Sequence, residues 1–226
     1  MLSSVRYNGL NFPFRRMIKS DWIPSLAEAG LAVSDAGFLL HVGGNQWYKN
    51  RLGVLEIYAA YAALESNPLQ LWMVGAPPTA AMQAMALSLP DGGQVRFLSG
   101  LTDEQVCAAY SAAKLMIFPS LCEGFGWPIA EAMACGCPVL TTDEAPMTEV
   151  GGEAAFYIPR RPDTESFDWS VQAGKLIAQI LSTPLDAKQH RQNQGFQQCA
   201  QFDTHDTLNA YEKIYQDIVD RVGSKN

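Results

Sequence analysis

The chain has 226 residues, of which 48% are hydrophobic and 17% are charged, so it can bury a sizeable core and is not a disordered protein. Its 23 acidic residues outnumber its 16 basic residues, and the net charge of −7 excludes the broad positive surface that non-specific nucleic-acid binding requires. No apolar run reaches the roughly 20 residues of a membrane span, and the N-terminus has no apolar stretch typical of a secretory signal.

Residues 1–36 are predicted to form an irregular, linker-like segment, with a short helix over 20–30 that Ser20 caps. From residue 37 onward, short apolar runs alternate with stretches of helical periodicity. Strands are predicted over 37–43, 71–75, 94–100, 114–120, 137–142 and 154–159. Helices are predicted over 51–64, 79–88, 102–113, 126–136, 168–181, 185–200 and 206–221, with Thr102 as the N-cap of the third.

This alternation predicts an α/β fold, a doubly wound Rossmann-like parallel sheet of about six strands with helices on both faces. We expect the main domain to cover residues 37–203 and a C-terminal helix to cover residues 204–226. Ligands of such folds bind beyond the carboxyl ends of the strands. The segments that follow the strands are therefore the candidates for function: 43–50, 75–79, 99–102, 119–128 and 142–150.

The segment after the fourth predicted strand carries the strongest chemical signal. Gly124 and Gly126 let the backbone approach a ligand closely, and the N-terminus of the following helix presents amide groups to an anion such as a phosphate. Glu123 precedes the glycines and Glu131 lies about one turn into the helix, so two carboxylates bracket the anion. On these residues alone, a polyol phosphate site and two solvated surface glutamates are about equally supported.

Residues 118–142, FPSLCEGFGWPIAEAMACGCPVLTT, closely resemble the donor-binding segment of the retaining glycosyltransferases of family 4, which have the GT-B fold. The shared pattern runs from Ser120 to Val139 and includes the two glutamates. This resemblance implies that the chain is one half of a GT-B fold, the C-terminal domain that binds a UDP- or GDP-sugar. It also implies that the C-terminal helix crosses back toward an N-terminal domain.

The same resemblance assigns roles to residues of this segment. It implies that Glu131 holds the ribose hydroxyls, while Glu123 bonds the donor sugar and stabilises charge at the anomeric centre. Backbone groups around Phe125, Gly126 and Trp127 are expected to hold the pyrophosphate and the sugar. Gly124 and Ser120 complete the expected donor contacts of this segment.

Residues 41–61 resemble the first strand, phosphate loop and helix of the same family. Lys49 occupies the position of the family's phosphate-binding lysine, and we expect it to take part in catalysis with Glu123. Gly44 stands where many members have an arginine, and Arg51 is the candidate to replace that cation. Other expected donor contacts are Gly43 and Asn45 in this loop, and Leu98, Ser99 and Leu101, whose backbone would meet the base.

The implied reaction is metal-independent transfer of a hexosyl group, with retention, to a saccharide or lipid-linked acceptor, and no cofactor is expected besides the donor substrate. The isolated chain is expected to be inactive or very weak unless a separate N-terminal acceptor domain completes it. The alternative is a nucleotide-sugar binding module without turnover. A dinucleotide-binding domain is disfavoured, because GGNQWYKN at 43–50 contains no G-x-G-x-x-G.

The cysteines and histidines point to no metal and no disulfide framework. The five cysteines are odd in number, without zinc-ligand spacing, and the three histidines are scattered. We therefore expect reduced thiols and a cytoplasmic location, with the inner face of the membrane as the site of a lipid-linked acceptor.

Overall fold

The computed structural model describes residues 8–10 and 12–223, with the side chains of the last helix described as far as Asp220. Residues 1–7 and 11 of the predicted linker-like segment, and residues 224–226 of the C-terminal segment, lie outside the described residues. The strands are β1 Phe38–Val42, β2 Gln70–Val74, β3 Val95–Leu98, β4 Leu115–Phe118, β5 Val139–Thr142 and β6 Phe156–Ile158. The helices are α1 Lys19–Glu28, α2 Arg51–Ala62, α3 Ala80–Leu87, α4 Asp103–Ala112, α5 Trp127–Ala134, α6 Met147–Gly151, α7 Ser166–Ser182, α8 Leu185–Cys199 and α9 Thr204–Gly223.

The six strands form one parallel sheet in the order β3–β2–β1–β4–β5–β6. The predicted doubly wound sheet with helices on both faces is therefore confirmed. The order reverses between β1 and β4, so the first and second halves of the chain meet there. In open α/β sheets a crevice forms at this point, at the carboxyl ends of the strands.

Both faces of the sheet are buried, which explains why its central strands are continuous apolar runs. Residues such as Leu40 and Met116 face a core built with α1, α4, α5 and α6. Their neighbours in sequence, such as Leu39 and Leu115, face a second core built with α2 and α7. Alternate side chains of each strand thus hold the two layers of helices in place.

Two expected caps had different outcomes. Thr102 is the N-cap of α4, and its hydroxyl accepts a hydrogen bond from the Gln105 backbone N–H at 3.2 Å in a complete capping box. The expectation that Ser20 caps α1 is wrong, because the helix begins at Lys19 with Ile18 as its N-cap. The Ser20 hydroxyl instead donates to the carboxylate of Asp21 at 2.9 Å.

The last helix, α9, leaves its apolar side uncovered. Its exposed apolar residues recur at helical spacing and form what we call the α9 apolar stripe: Leu208, Tyr211, Ile214, Tyr215, Ile218 and Val219. Nowhere in the part of the chain that the structure describes is a helix both long enough and apolar enough to span a membrane.

Candidate functional site

The loops after β1 and β4 are bonded to each other at the carboxyl edge of the sheet. The backbone N–H of Leu121 donates to the carbonyl of Tyr48 at 2.7 Å. The side-chain amide of Asn50 donates to the carbonyl of Pro119 at 2.9 Å, and Asn50 is buried. These two bonds make one structural unit of loops 43–50 and 119–126, although the loops come from different halves of the chain.

Lys49 and Glu123, the two residues predicted to be catalytic, are in direct contact. Lys49 Nζ lies 2.8 Å from Glu123 Oε1 and 3.0 Å from Oε2. The two side chains are only 14% and 7% exposed, so water screens the pair less than it screens a surface ion pair. Lys49 Nζ also lies 5.0 Å from the centre of the Phe118 ring. The contact places one cation and one carboxylate at the crevice between β1 and β4.

Arg51, the first residue of α2, ties the loop after β1 to the loop after β2. Its side chain is buried, and its Nη1 donates to the carbonyl of Ala76 at 2.8 Å and to Asn45 Oδ1. Asn45 Nδ2 in turn donates to the carbonyl of Pro77 at 2.8 Å. Arg51 and Asn45, both predicted to contact the sugar-donor substrate, are therefore hydrogen-bonded to each other. Arg51 Nε and Nη2 are buried without a hydrogen-bond partner among the residues described.

The backbones of the loops after β1 and β2 also touch, which explains the glycine at position 75. Gly75 has a φ of +138°, and a Cβ there would lie 2.1 Å from the carbonyl oxygen of Gly43. A Cβ on Gly43 would lie 2.9 Å from His41 Nε2. The side chain of His41, two residues earlier in the chain, therefore leaves little room for a Cβ at Gly43, and the ligand contact expected of Gly43 stays a prediction.

His41 lies fully buried near the carboxyl end of β1, close to this cluster. Its Nδ1 donates to the carbonyl of Ile117 at 2.9 Å, and Nε2 has no hydrogen-bond partner among the described residues. Burial lowers the pKa of His41 to about 3, and the nearby charges of Arg51 and Lys49 act in the same direction. The ring is therefore neutral. Sequence reasoning did not propose His41, although it is the single polar side chain of an otherwise apolar strand.

The loop after β4 reaches α5 through Gly126, which has a φ of +99° as the N-cap of that helix. Gly124 is exposed, with open space where a side chain would be. The rings of Phe125 and Trp127 lie 4.3 Å apart, and Phe125 also packs edge-on against Phe202 at 5.1 Å. The two aromatic side chains thus pack against each other, and Gly126 between them is buried, whereas Gly124 is open to solvent.

Glu131 lies on α5 and is linked to α4. The hydroxyl of Tyr110, a residue that sequence reasoning missed, donates to Glu131 Oε2 at 3.0 Å. Burial raises the pKa of Glu131 above its ordinary value, which the Tyr110 hydrogen bond opposes. Ser120 is fully buried, and its carbonyl accepts from the Thr142 hydroxyl at 2.8 Å.

The residues predicted to meet the base lie farther along the sheet. Leu98 ends the edge strand β3, and its carbonyl accepts a hydrogen bond from the N–H of Gly75 at 2.9 Å. Ser99 is exposed, while Leu101 packs partly against the core. These residues share the carboxyl edge with the Lys49–Glu123 pair but are two strands away from β1.

The chemistry of this edge suits an extended anionic ligand with hydroxyl groups. Lys49 supplies positive charge, and the start of α5 supplies the positive end of a helix dipole. Glu123 and Glu131 supply acceptors for hydroxyl groups. Within the described residues, no three His, Cys, Asp or Glu side chains gather closely enough to hold a metal ion.

The sequence and the fold are both similar to those of known glycosyltransferases. Residues 25–192, more than half of the chain, match the family described as "Glycosyl transferases group 1". The chain is 28% identical over 225 residues to the O-antigen chain mannosyltransferase B of Escherichia coli, covering 90% of this chain and 56% of that protein. It is 30% identical over 164 residues to the O-antigen chain mannosyltransferase RfbU of Salmonella typhimurium, covering 72% and 41%.

Among solved structures, the fold matches WaaG, a glycosyltransferase involved in lipopolysaccharide biosynthesis, with a TM-score of 0.73 and 20% identity. That match covers 93% of this chain and 55% of the WaaG chain. The chain thus spans about half the length of the curated relatives it matches.

Proposed function

Because the chain belongs to the group 1 glycosyl transferases, we propose that it is the nucleotide-sugar-binding half of a retaining, metal-independent hexosyltransferase. The observation that carries the proposal is the contact of Lys49 with Glu123 beside the glycine-rich start of α5. A cation beside a helix N-terminus can stabilise a diphosphate leaving group, and a neighbouring carboxylate can accept hydrogen bonds from sugar hydroxyls, which supports the proposal. Two relatives named as mannosyltransferases favour mannose as the hexose.

In the proposed complex, a UDP- or GDP-sugar lies across the crevice between β1 and β4. Its diphosphate binds Lys49 and the backbone from Gly124 to Trp127, next to the helix dipole of α5. Glu131 accepts hydrogen bonds from the ribose hydroxyls, and Glu123 bonds the sugar. Catalysis rests on stabilising the departing diphosphate and on positioning the acceptor, with no step that needs a metal.

The acceptor site is proposed to belong to a second domain, in the same polypeptide or in another chain. The chain spans about half the length of its relatives, and the α9 apolar stripe is uncovered here. A domain packed on α9 would bury those side chains. The isolated chain is therefore expected to bind the donor and to transfer little or no sugar. The acceptor is a saccharide or a lipid-linked saccharide, the latter met at the inner face of the membrane.

Calorimetric titration with UDP, GDP, UDP-glucose, GDP-mannose and NAD tests the proposal. We expect one of the two nucleoside diphosphates to bind clearly more tightly than NAD. The variant Glu131→Ala should weaken that binding by about 1–3 kcal/mol through lost ribose contacts. The matched control is Glu153→Ala, because Glu153 is an exposed glutamate after α6.

Binding of NAD without binding of any nucleoside diphosphate would overturn the proposal. Equal affinity in Glu131→Ala and the parent would show that the ribose lies elsewhere. A transfer assay with and without a separately produced acceptor domain then separates a transferase half from a binding module without turnover.

A further inference from the structure

Tyr110 contacts a residue of the proposed donor site although it lies outside the site itself. It belongs to α4, and its side chain is fully buried. We propose that Tyr110 is a positioning residue, whose hydroxyl holds the Glu131 carboxylate in the orientation that accepts the donor's ribose hydroxyls. This inference rests on the function proposed above, because it explains how Glu131 is oriented to contact the ribose.

The geometry supports a fixed hydrogen bond between the Tyr110 hydroxyl and the Glu131 carboxylate. The Tyr110 hydroxyl lies 3.0 Å from Glu131 Oε2. The Tyr110 ring is fully buried in the core that α4 and α5 share, with Phe14 edge-on at 6.0 Å, so close packing restricts its movement. The bond occupies one carboxylate oxygen and leaves Oε1 to accept from a ligand.

The identity of the residue supports the same conclusion. A buried hydroxyl costs free energy unless it is hydrogen-bonded, and a phenylalanine would fill the same space without that cost. Within the described part of the chain, the Tyr110 hydroxyl forms its hydrogen bond with Glu131. A tyrosine is therefore explained by the carboxylate that it contacts rather than by packing.

The groups around Glu131 determine how the Tyr110 hydrogen bond affects its protonation. Burial raises the pKa of Glu131, the Tyr110 hydrogen bond and the charge of Lys49 lower it, and Asp103 at the start of α4 raises it. Burial, followed by the charge of Glu131 and then by Cys135 and Cys137, raises the pKa of Tyr110 well above its ordinary value. Tyr110 thus remains a hydrogen-bond donor, and losing it favours the protonated form of Glu131.

The test measures nucleoside diphosphate affinity against pH, with UDP and GDP as probes, for the parent and Tyr110→Phe. In the parent, affinity falls as the pH drops through the pKa of Glu131, because a protonated carboxyl accepts fewer hydrogen bonds. In Tyr110→Phe we expect that fall at a higher pH, with a loss of about tenfold at neutral pH. Tyr58→Phe is the control, because Tyr58 is a buried tyrosine whose hydroxyl lies 3.0 Å from the carbonyl oxygens of both Leu69 and Gln94, away from Glu131.

A double-mutant cycle with Glu131→Ala shows whether Tyr110 acts through Glu131. In that background Tyr110→Phe should change the affinity less than about twofold. An unchanged pH profile in Tyr110→Phe, or a full effect without Glu131, would overturn the inference while leaving the proposed function standing. A parent protein that binds neither diphosphate would remove both.

Discussion

Lys49 and Glu123 are 74 residues apart in sequence, yet the ammonium group of one contacts both carboxylate oxygens of the other. The contact exists because β1 and β4 are neighbours in the sheet, so the loops that follow them meet. It holds a positive and a negative group side by side at the proposed donor site, with most of both side chains withdrawn from water.

The variant Lys49→Met tests this pair. It leaves the largely buried Glu123 without its cation, and we expect a stability loss of about 1–3 kcal/mol. Nucleoside diphosphate affinity should fall at least about tenfold, because a charge-assisted contact to the phosphates is lost. Urea denaturation and calorimetry measure the two effects.

The control for Lys49→Met is Arg161→Met, which breaks another partly buried ion pair, 2.6 Å long, with Glu56 of α2. It should lower stability and leave affinity unchanged. A similar loss of affinity in both variants would mean that general destabilisation, rather than the Lys49 charge, weakens binding.

The variant Gly75→Ala tests the close approach of the first two loops. Its Cβ would overlap the Gly43 carbonyl in a backbone region that alanine rarely adopts, so we expect a loss of about 2–4 kcal/mol and weaker diphosphate binding. Gly30→Ala is the control, with a φ of +69° but open space around it. It should cost about 1 kcal/mol and keep the affinity. Equal stability losses, measured in urea, would contradict the predicted clash.

The variant Arg51→Lys tests the tie between the loops after β1 and β2. A lysine keeps the charge, but it is shorter and lacks the planar guanidinium whose Nη1 donates to both Asn45 and Ala76. We expect faster amide hydrogen exchange over 43–50 and a stability loss of about 1–2 kcal/mol. Arg96→Lys on β3 is the control and should leave exchange in that loop unchanged. Exchange that is the same in Arg51→Lys and in the parent would argue against the tie.

Acid stability depends on His41. Its pKa falls from 6.5 to about 3 on folding, so between these values the unfolded chain binds a proton that the folded chain does not. Stability should therefore decrease as the pH drops through this window, with a slope of up to about 1.4 kcal/mol per pH unit from this residue. His41→Asn, which can keep the bond to Ile117, should reduce the slope in urea denaturation between pH 6 and pH 4, both within the window. An identical slope in His41→Asn and the parent would contradict the assignment.

Most of the sheet could be predicted because a run such as Leu115–Phe118, apolar throughout and bounded by helical stretches, is typical of a buried strand. The helix α6 was missed because its five residues are too few to show helical periodicity. The order of the strands could not be read either, because an apolar run does not record which strand lies beside it.

In the candidate site, too, some residues could be predicted from the sequence and others could not. The residues Lys49, Glu123 and Glu131 could be proposed from their motifs, and their roles as ligand contacts remain predictions. Tyr110, the partner of Glu131, could not be proposed, because it stands in an apolar helical segment typical of core packing. Only the packing of α4 on α5 shows that its hydroxyl meets a carboxylate 21 residues later in the chain.

The reversal of strand order between β1 and β4 has a thermodynamic consequence. A molecule bound across that crevice contacts residues from both halves of the sheet. Unfolding of either half would therefore release it. Its binding free energy therefore adds to the cooperative unfolding of the whole domain. The melting temperature should rise with the logarithm of the concentration of a true ligand, so thermal melts of the unlabelled protein can rank candidate nucleotides by occupancy.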